Sequence, residues 1–307
     1  MKRYRLWTKL PGMLHPQLFF LSVIPATVGA ALAFSNTGRW DNEIFFISIA
    51  GILLLQAAIS IINDYALFCR AQKAGYTGRL EGAAEAMRRG ILREEQVVGA
   101  SIMLTVMGGL CAVLLSMLAG SSILLIAAAA VICGYALNFP RGGTFRFGAG
   151  ELLAAGCCSL FPLLAVYNLQ TLSIALPPFA AALPLGMLSA ALIIIEQMRR
   201  PRELPAQGAL VRKLGTQNTA RLVSALLLLW PVVVTVMLLA GTLPPQTGLC
   251  ALAVIPAGGA AIVCLRKHSS PLGLETGLAL AFIAHVLAGM AIAAGLLMVG
   301  RGLEPVW

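Results

Sequence analysis

The chain is short of charge. Only 11% of its 307 residues are Asp, Glu, Lys or Arg, and the whole sequence holds just two aspartates, Asp41 and Asp64. Soluble domains carry about 25% charged residues, so a soluble globular module is excluded. No Walker loop, H-E-x-x-H pair or nucleophile elbow occurs, which leaves ATP-driven transport, zinc proteolysis and hydrolase chemistry without support. Seven cysteines are present, Cys69, Cys111, Cys133, Cys157, Cys158, Cys250 and Cys264, but they form no C-x-x-C pair and no Cys/His ligand spacing. They read as small packing residues within or beside apolar runs. A cleavable leader is not expected either: the basic start runs into an apolar stretch that continues too far, without a small-residue cleavage site.

What fills the chain instead is hydrocarbon. Hydrophobic residues make up 59% and the mean hydropathy is +0.88. Crossing a hydrocarbon core of ~30 Å takes about 20 apolar residues, and such runs recur from end to end. The expectation is an all-α polytopic membrane protein, a single transmembrane helical domain over 1–307. Nine spans are placed at about 17–35, 44–64, 96–119, 121–138, 149–168, 176–197, 221–241, 246–265 and 274–299. Cytoplasmic loops are expected at 64–95 and 198–220.

Every Lys and Arg except Arg39 and Arg301 falls on the same side of that arrangement. The positive-inside rule then gives a cytoplasmic N-terminus. The formal charge of +10 is accounted for by topology and by anionic ligand or lipid headgroups, not by a nucleic-acid partner. A polar cytoplasmic cap over an apolar bundle suits a ligand with a charged head and a greasy tail. A bacterial inner membrane is the expected location, with the ligand loops on its cytoplasmic side.

Polarity concentrates between Ser60 and Gln96. Asn63 and Asp64 stand at the end of a span, where an ionisable residue is costly and either functional or a polar cap of the helix. Arg70, Lys73, Arg79, Arg88 and Arg89 follow; they serve either as topology determinants or as diphosphate ligands through charge-assisted contacts. Elsewhere His285 lies inside the last apolar run, where packing is the commoner role. Gly108-Gly109, Gly258-Gly259 and Gly289 suit close helix packing.

Asn63-Asp64-Tyr65, with Gly90-Ile91-Leu92 and Glu95-Gln96-Val97 further on, resembles the UbiA superfamily of membrane prenyltransferases. The branch it is most similar to prenylates 1,4-dihydroxy-2-naphthoate. The opening His15-Pro16-Gln17-Leu18, the segment from Tyr135 to Glu151 (YALNFPRGGTFRFGAGE), Phe161-Pro162-Leu163 with Tyr167 and Gln170, and Ala209 to Gly215 (ALVRKLG) carry the likeness over nearly the full length. The resemblance implies transfer of a polyprenyl chain from its diphosphate to an aromatic acceptor in menaquinone-type quinone synthesis. It also implies Mg²⁺ held by two Asp-rich motifs. By the same resemblance Asn63, Asp64, Arg70 and Lys73 would anchor the head group, with Glu196, Arg199 and Arg200 opposite. Tyr65, Tyr135 and Glu151 would flank the acceptor, Arg141 would join the substrate contacts, and Asp64 and Glu196 would be the remaining metal ligands.

The departures are specific. Where the first motif should continue, Leu67 and the stretch Ala71 to Lys73 replace acids, and the second motif reads IEQMRRPREL, with Glu196 and Glu203 among Arg199, Arg200 and Arg202. The Mg²⁺ site therefore cannot be written in its usual form. Asp64, Glu81, Glu85, Glu151, Glu196 and Glu203 lie on the inner side, but spacing commits no pair of them to one site. Three readings follow: a prenyltransferase; a protein of the same fold with a degenerate metal site that holds a quinone or isoprenoid lipid or acts as a partner subunit; and a small-solute carrier, against which stand the near absence of charge within the spans and the lack of an inverted repeat.

Overall fold

The computed structural model describes residues 16–78, 80–138, 149–173, 175–200 and 209–300. Within them every regular element is a helix. In chain order these are α1 (Pro16–Thr37), α2 (Asn42–Lys73), the short α3 (Gly82–Arg88), α4 (Glu94–Ala119), α5 (Ser122–Asn138), α6 (Ala149–Thr171), α7 (Pro177–Arg199), α8 (Ala209–Leu239), a 3₁₀ stretch (Pro245–Ala253), α9 (Val254–Lys267) and α10 (Pro271–Val299).

Eight of the described helices are long and apolar enough to cross a membrane. The expected fourth span, α5, is 17 residues and falls below that length. The second span differs more. It was expected to end at Asp64, yet α2 continues to Lys73 over 32 residues, about 48 Å at 1.5 Å per residue. That length exceeds a ~30 Å hydrocarbon core, so its last turns, with Asp64, Arg70 and Lys73, reach the charged end of the bundle. Both termini are sealed locally. The Asp41 carboxylate accepts from the Ile44 amide at 3.0 Å at the start. Arg70 and Lys73 lie in the last turn, where cations complement the helix dipole, and Gly75 follows in the left-handed region (φ 65°).

The principal core is built by α1, α6, α7, α8, α9 and α10. Leu163, Leu185, Ile195, Leu227 and Trp230 are fully buried there. α10 contributes a seam of small residues, Gly277, Ala281, Ala284, Ala288 and Gly289, which brings helix backbones together where lipid offers no hydrophobic drive. α1 and α6 approach so closely that a Cβ on Gly29 would collide with the Leu163 carbonyl. On the other side of the molecule α4 packs on α2 and turns Val106, Leu110, Met117 and Leu118 outward. That is the composition of a lipid-facing surface.

The two ends of the bundle differ. At the end opposite Asp64, Gln170 clasps Asp41, donating to its carbonyl at 2.8 Å and accepting from its amide at 2.9 Å. Asn36 donates to the Tyr167 hydroxyl nearby. Tyr167 and Gln170 thus close the end opposite to Asp64. At the charged end α3 folds back over the last turns of α2, burying Leu80 and Ala84 on Leu67 and Ala71. Ala83 and Met87 pack with Val97 against Ile61, Tyr65 and Phe68.

Candidate functional site

The charged end gathers residues from α2, α3, α4, α7, α8 and α10. Asp64 is buried there at 2% exposure, and its Oδ2 accepts the Ala83 amide at 2.7 Å. Ala83 is the second residue of α3. Its N–H is one of those a helix start leaves without an intrahelical partner, so Asp64 caps α3 from 19 positions upstream. Glu151, 4% exposed at the start of α6, does the same more weakly for α8, accepting the Leu210 amide at 3.4 Å. Both buried acids singled out in the sequence therefore organise helix N-termini.

Glu196, Arg199 and Glu81 converge. The Arg199 guanidinium grips Glu196 twice, Nε to Oε2 at 3.1 Å and Nη2 to Oε1 at 3.0 Å. Its Nη2 also donates to Glu81 at 2.8 Å and its Nη1 to Glu275 at 3.4 Å. The arginine at the end of α7 thus joins α3 and α10. Glu275 was not singled out in the sequence; it is the lone acid of the last span, and no local pattern marks it. Glu85 closes α3 on itself, accepting from the Leu80 amide and pairing with Arg88 and Arg89. Those contacts, Arg88 first, pull its carboxyl down to about 2.

A second group is cationic. Arg70, on the last turns of α2, feels the charges of Arg200 and Arg212. Among the described residues no ion pair of Arg70 with a carboxylate occurs. Segments remote in sequence thereby place positive charge near a partly buried guanidinium, a setting that favours an anion. Beside Arg212 a groove of about 590 Å³ opens along Val211, Gly215, Asn218 and His268. Gly215, at φ 74°, breaks α8 there. Arg212 lies in the Ala209 to Gly215 segment that carries the family resemblance, but no role follows for it there, because nothing in its local sequence ties it to Arg70.

The other expected site residues are placed as follows. Asn63 is half-buried beside Asp64 and Lys73 is exposed at the end of α2. The Tyr65 hydroxyl donates to Glu94 at 3.4 Å. Tyr135 is engaged within the bundle, its hydroxyl 2.8 Å from Ser101 Oγ and 2.7 Å from Thr105 Oγ1. Arg141 lies outside the described residues.

Among the described residues the donor set does not fit a divalent ion. Magnesium calls for near-octahedral oxygen ligation from free carboxylates and water. Here Asp64 is committed to Ala83, Glu85 to Arg88 and Arg89, and Glu81, Glu196 and Glu275 to Arg199. Among the described residues no three His, Cys, Asp or Glu side chains converge as ligands.

A bundle of long apolar helices with one charged end defines an integral membrane protein. Comparison with solved structures narrows this: the chain has the UbiA fold. It superposes on a UbiA homologue from Archaeoglobus fulgidus with a TM-score of 0.61 at 14% identity, covering 93% of this chain and 99% of the other. The same homologue bound to GPP and Mg²⁺ matches with a TM-score of 0.61 at 13% identity and the same coverage. A structure of digeranylgeranylglyceryl phosphate synthase matches with a TM-score of 0.60 at 12% identity, over 92% and 99% of the two chains. In sequence, 60 residues are 32% identical to 2-carboxy-1,4-naphthoquinone phytyltransferase of Synechocystis. That match spans 20% of this chain and about a fifth (19%) of the relative's length. No protein-family model matches.

Proposed function

We propose that this protein is a membrane prenyltransferase that moves a polyprenyl chain from its diphosphate to an aromatic acceptor of the quinone-precursor type. The observation that carries the reading is Arg70, partly buried on the last turns of α2 and within charge–charge range of Arg200 and Arg212, at the charged end of a UbiA fold. Guanidinium groups make bidentate contacts to phosphate oxygens, and an apolar bundle behind them offers the tail a lipid-like environment. In the reaction the allylic C–O bond breaks and the diphosphate leaves with the bonding electrons. A ring carbon of the acceptor attacks the prenyl cation, and the ring proton is lost to restore aromaticity. The arginines stabilise the charge that develops on the departing diphosphate, the place where a preorganised site contributes most. The solved homologue with GPP and Mg²⁺ supports the donor class, and the naphthoquinone phytyltransferase supports the acceptor class. The charged end faces the cytoplasm of a bacterial inner membrane by the positive-inside distribution.

A second reading has its own observation. With Asp64, Glu85, Glu81 and Glu196 engaged by Ala83, Arg88, Arg89 and Arg199, the protein is a lipid-binding homologue that holds a quinone or isoprenoid, or a partner subunit. The test is direct. Full-length protein in lipid nanodiscs is given geranylgeranyl diphosphate and 1,4-dihydroxy-2-naphthoate, with and without Mg²⁺, and mass spectrometry looks for the prenylated naphthol. Product that disappears in Arg70→Gln supports the transferase. No product under either condition, with isoprenoid retained through purification, establishes the second reading.

A further inference from the structure

We propose that Arg199 is the protein's own replacement for a divalent ion. It is a fixed guanidinium that gathers Glu81, Glu196 and Glu275, latches the 74–93 segment across the charged end, and makes anion binding there independent of Mg²⁺. The latch stands on geometry alone; only its consequence for ligand binding rests on the prenyl diphosphate reading.

Three carboxylates from α7, α10 and the N-cap of α3 each reach one guanidinium, and without a cation between them their charges would repel. The cation is covalently present. Glu196, three residues before Arg199 on the same helix, fixes the guanidinium through two of its nitrogens at 3.1 and 3.0 Å. The planar fork then has donors left over for other elements. Glu81, the N-cap residue of α3, takes one at 2.8 Å, and Glu275 of α10 takes another at 3.4 Å. Glu81 and Glu196 share the same nitrogen, which puts acids of the two polar segments around one positive centre. A divalent ion bridging the segments would need the volume and the lone pairs that the guanidinium already uses. Arg199 is only 19% exposed and lies in the last turn of its helix, where a positive charge also complements the dipole.

The structure therefore makes different predictions for the wild type and for a chain without this side chain. Full-length protein in nanodiscs should melt at the same temperature in EDTA and in millimolar Mg²⁺ or Mn²⁺. Arg199→Ala should melt lower in both buffers, because Glu81, Glu196 and Glu275 lose the cation they share. A wild-type melting temperature that rises with Mg²⁺, or an Arg199→Ala protein that folds and melts with the wild type, overturns the proposal.

Should Arg199→Ala fail to fold, the double variant Glu81→Gln with Glu275→Gln keeps Arg199 and its helix partner but opens the latch. Faster tryptic cleavage within residues 74–93 is expected, and unchanged cleavage refutes the latch. For the ligand, binding of the unreactive geranylgeranyl thiolodiphosphate is measured in EDTA and in Mg²⁺. Affinities agreeing within about twofold are expected, and binding that requires Mg²⁺ overturns the proposal while leaving the prenyl diphosphate reading intact. Absence of binding in both buffers, with the melting results as expected, removes that reading and leaves the latch standing.

Discussion

Two groups of charges share one end of this bundle and are built on opposite rules. Around Arg199 each charge meets its opposite within 3.4 Å. Around Arg70 the neighbouring charges, Arg200 and Arg212, are of the same sign. A matched network gains its energy from internal contacts and has no need of a partner. Positive charges held near one another favour an anion between them. The comparison separates the residues that shape the end from those that would hold a ligand, although both groups are arginines and two of them, Arg199 and Arg200, are adjacent in sequence.

The largest expected effect breaks the comparison on the cationic side. Arg70→Gln combined with Arg212→Gln should weaken binding of a prenyl diphosphate about 100-fold, equivalent to about 2.7 kcal/mol, since each charge-assisted hydrogen bond contributes about 1.5 kcal/mol or more. The melting temperature should hold or rise, because mutual repulsion is removed. Calorimetric titration and a thermal melt on the same preparation decide it. Unchanged affinity, or a fall in melting temperature comparable to that of Arg199→Ala, would merge the two groups into one structural network.

Asp64 tests the other side. If its role is to cap α3, Asp64→Ala should destabilise the protein by about 2 kcal/mol, the sum of a lost cap and a buried amide left unsatisfied. Asp64→Asn should lose less than half as much, since a side-chain carbonyl still accepts from Ala83. If Asp64 instead supplied charge to a metal or substrate, the two substitutions would be equally damaging. Chemical denaturation of both variants in the same detergent makes the distinction.

The architecture was legible in the sequence because lipid imposes a single requirement, about 20 apolar residues per crossing, and long Leu, Ala, Ile and Val runs satisfy it visibly. The end of α2 was not. Asn63 and Asp64 look like the polar edge of a span, and nothing local says that Leu67, Phe68 and Ala71 go on as helix to bury α3. The candidate site was legible as a region and not as partnerships. Glu81, Glu196 and Glu275 meet on one guanidinium from 194 positions apart at most, and a shared ionic contact between remote segments leaves no periodicity to read. Tyr135 shows the converse: its motif resemblance is local, yet its hydroxyl is spent on Ser101 and Thr105.

Glu85 gives a smaller, pH-dependent effect in α3, beside the Arg199 group. Its carboxyl is depressed from the usual 4.5 to about 2 by Arg88 first, with Leu80 and Arg89 adding. A group whose pKa is lowered on folding stabilises fully above its unfolded value and loses that contribution as pH falls through the folded value. Protection of the amides over residues 80–92 against hydrogen exchange, corrected for intrinsic rates, should therefore hold above about 4.5 and decline towards 2. In Glu85→Gln the decline should be absent and protection lower throughout. An identical pH profile in both proteins would detach α3 from this ion pairing.

The smallest effect concerns the bundle wall behind both groups. The Tyr135 hydroxyl sits 2.8 Å from Ser101 Oγ and 2.7 Å from Thr105 Oγ1, and Ser101 Oγ also donates to the Ala58 carbonyl of α2 at 2.9 Å. This chain of polar contacts ties α5, α4 and α2 together. Interhelical hydrogen bonds between membrane helices average about 0.6 kcal/mol, because a helix pair that loses one in lipid finds other partners. Tyr135→Phe leaves Ser101 bonded to α2, so its cost should stay near that value, whereas Ser101→Ala removes the junction and should cost about twice as much. Equal costs would mean that the tyrosine, not the serine, holds the three helices. The wall and the charged end would then be coupled through α5, and the separation between shaping and binding residues would no longer run along the Arg199 and Arg70 groups alone.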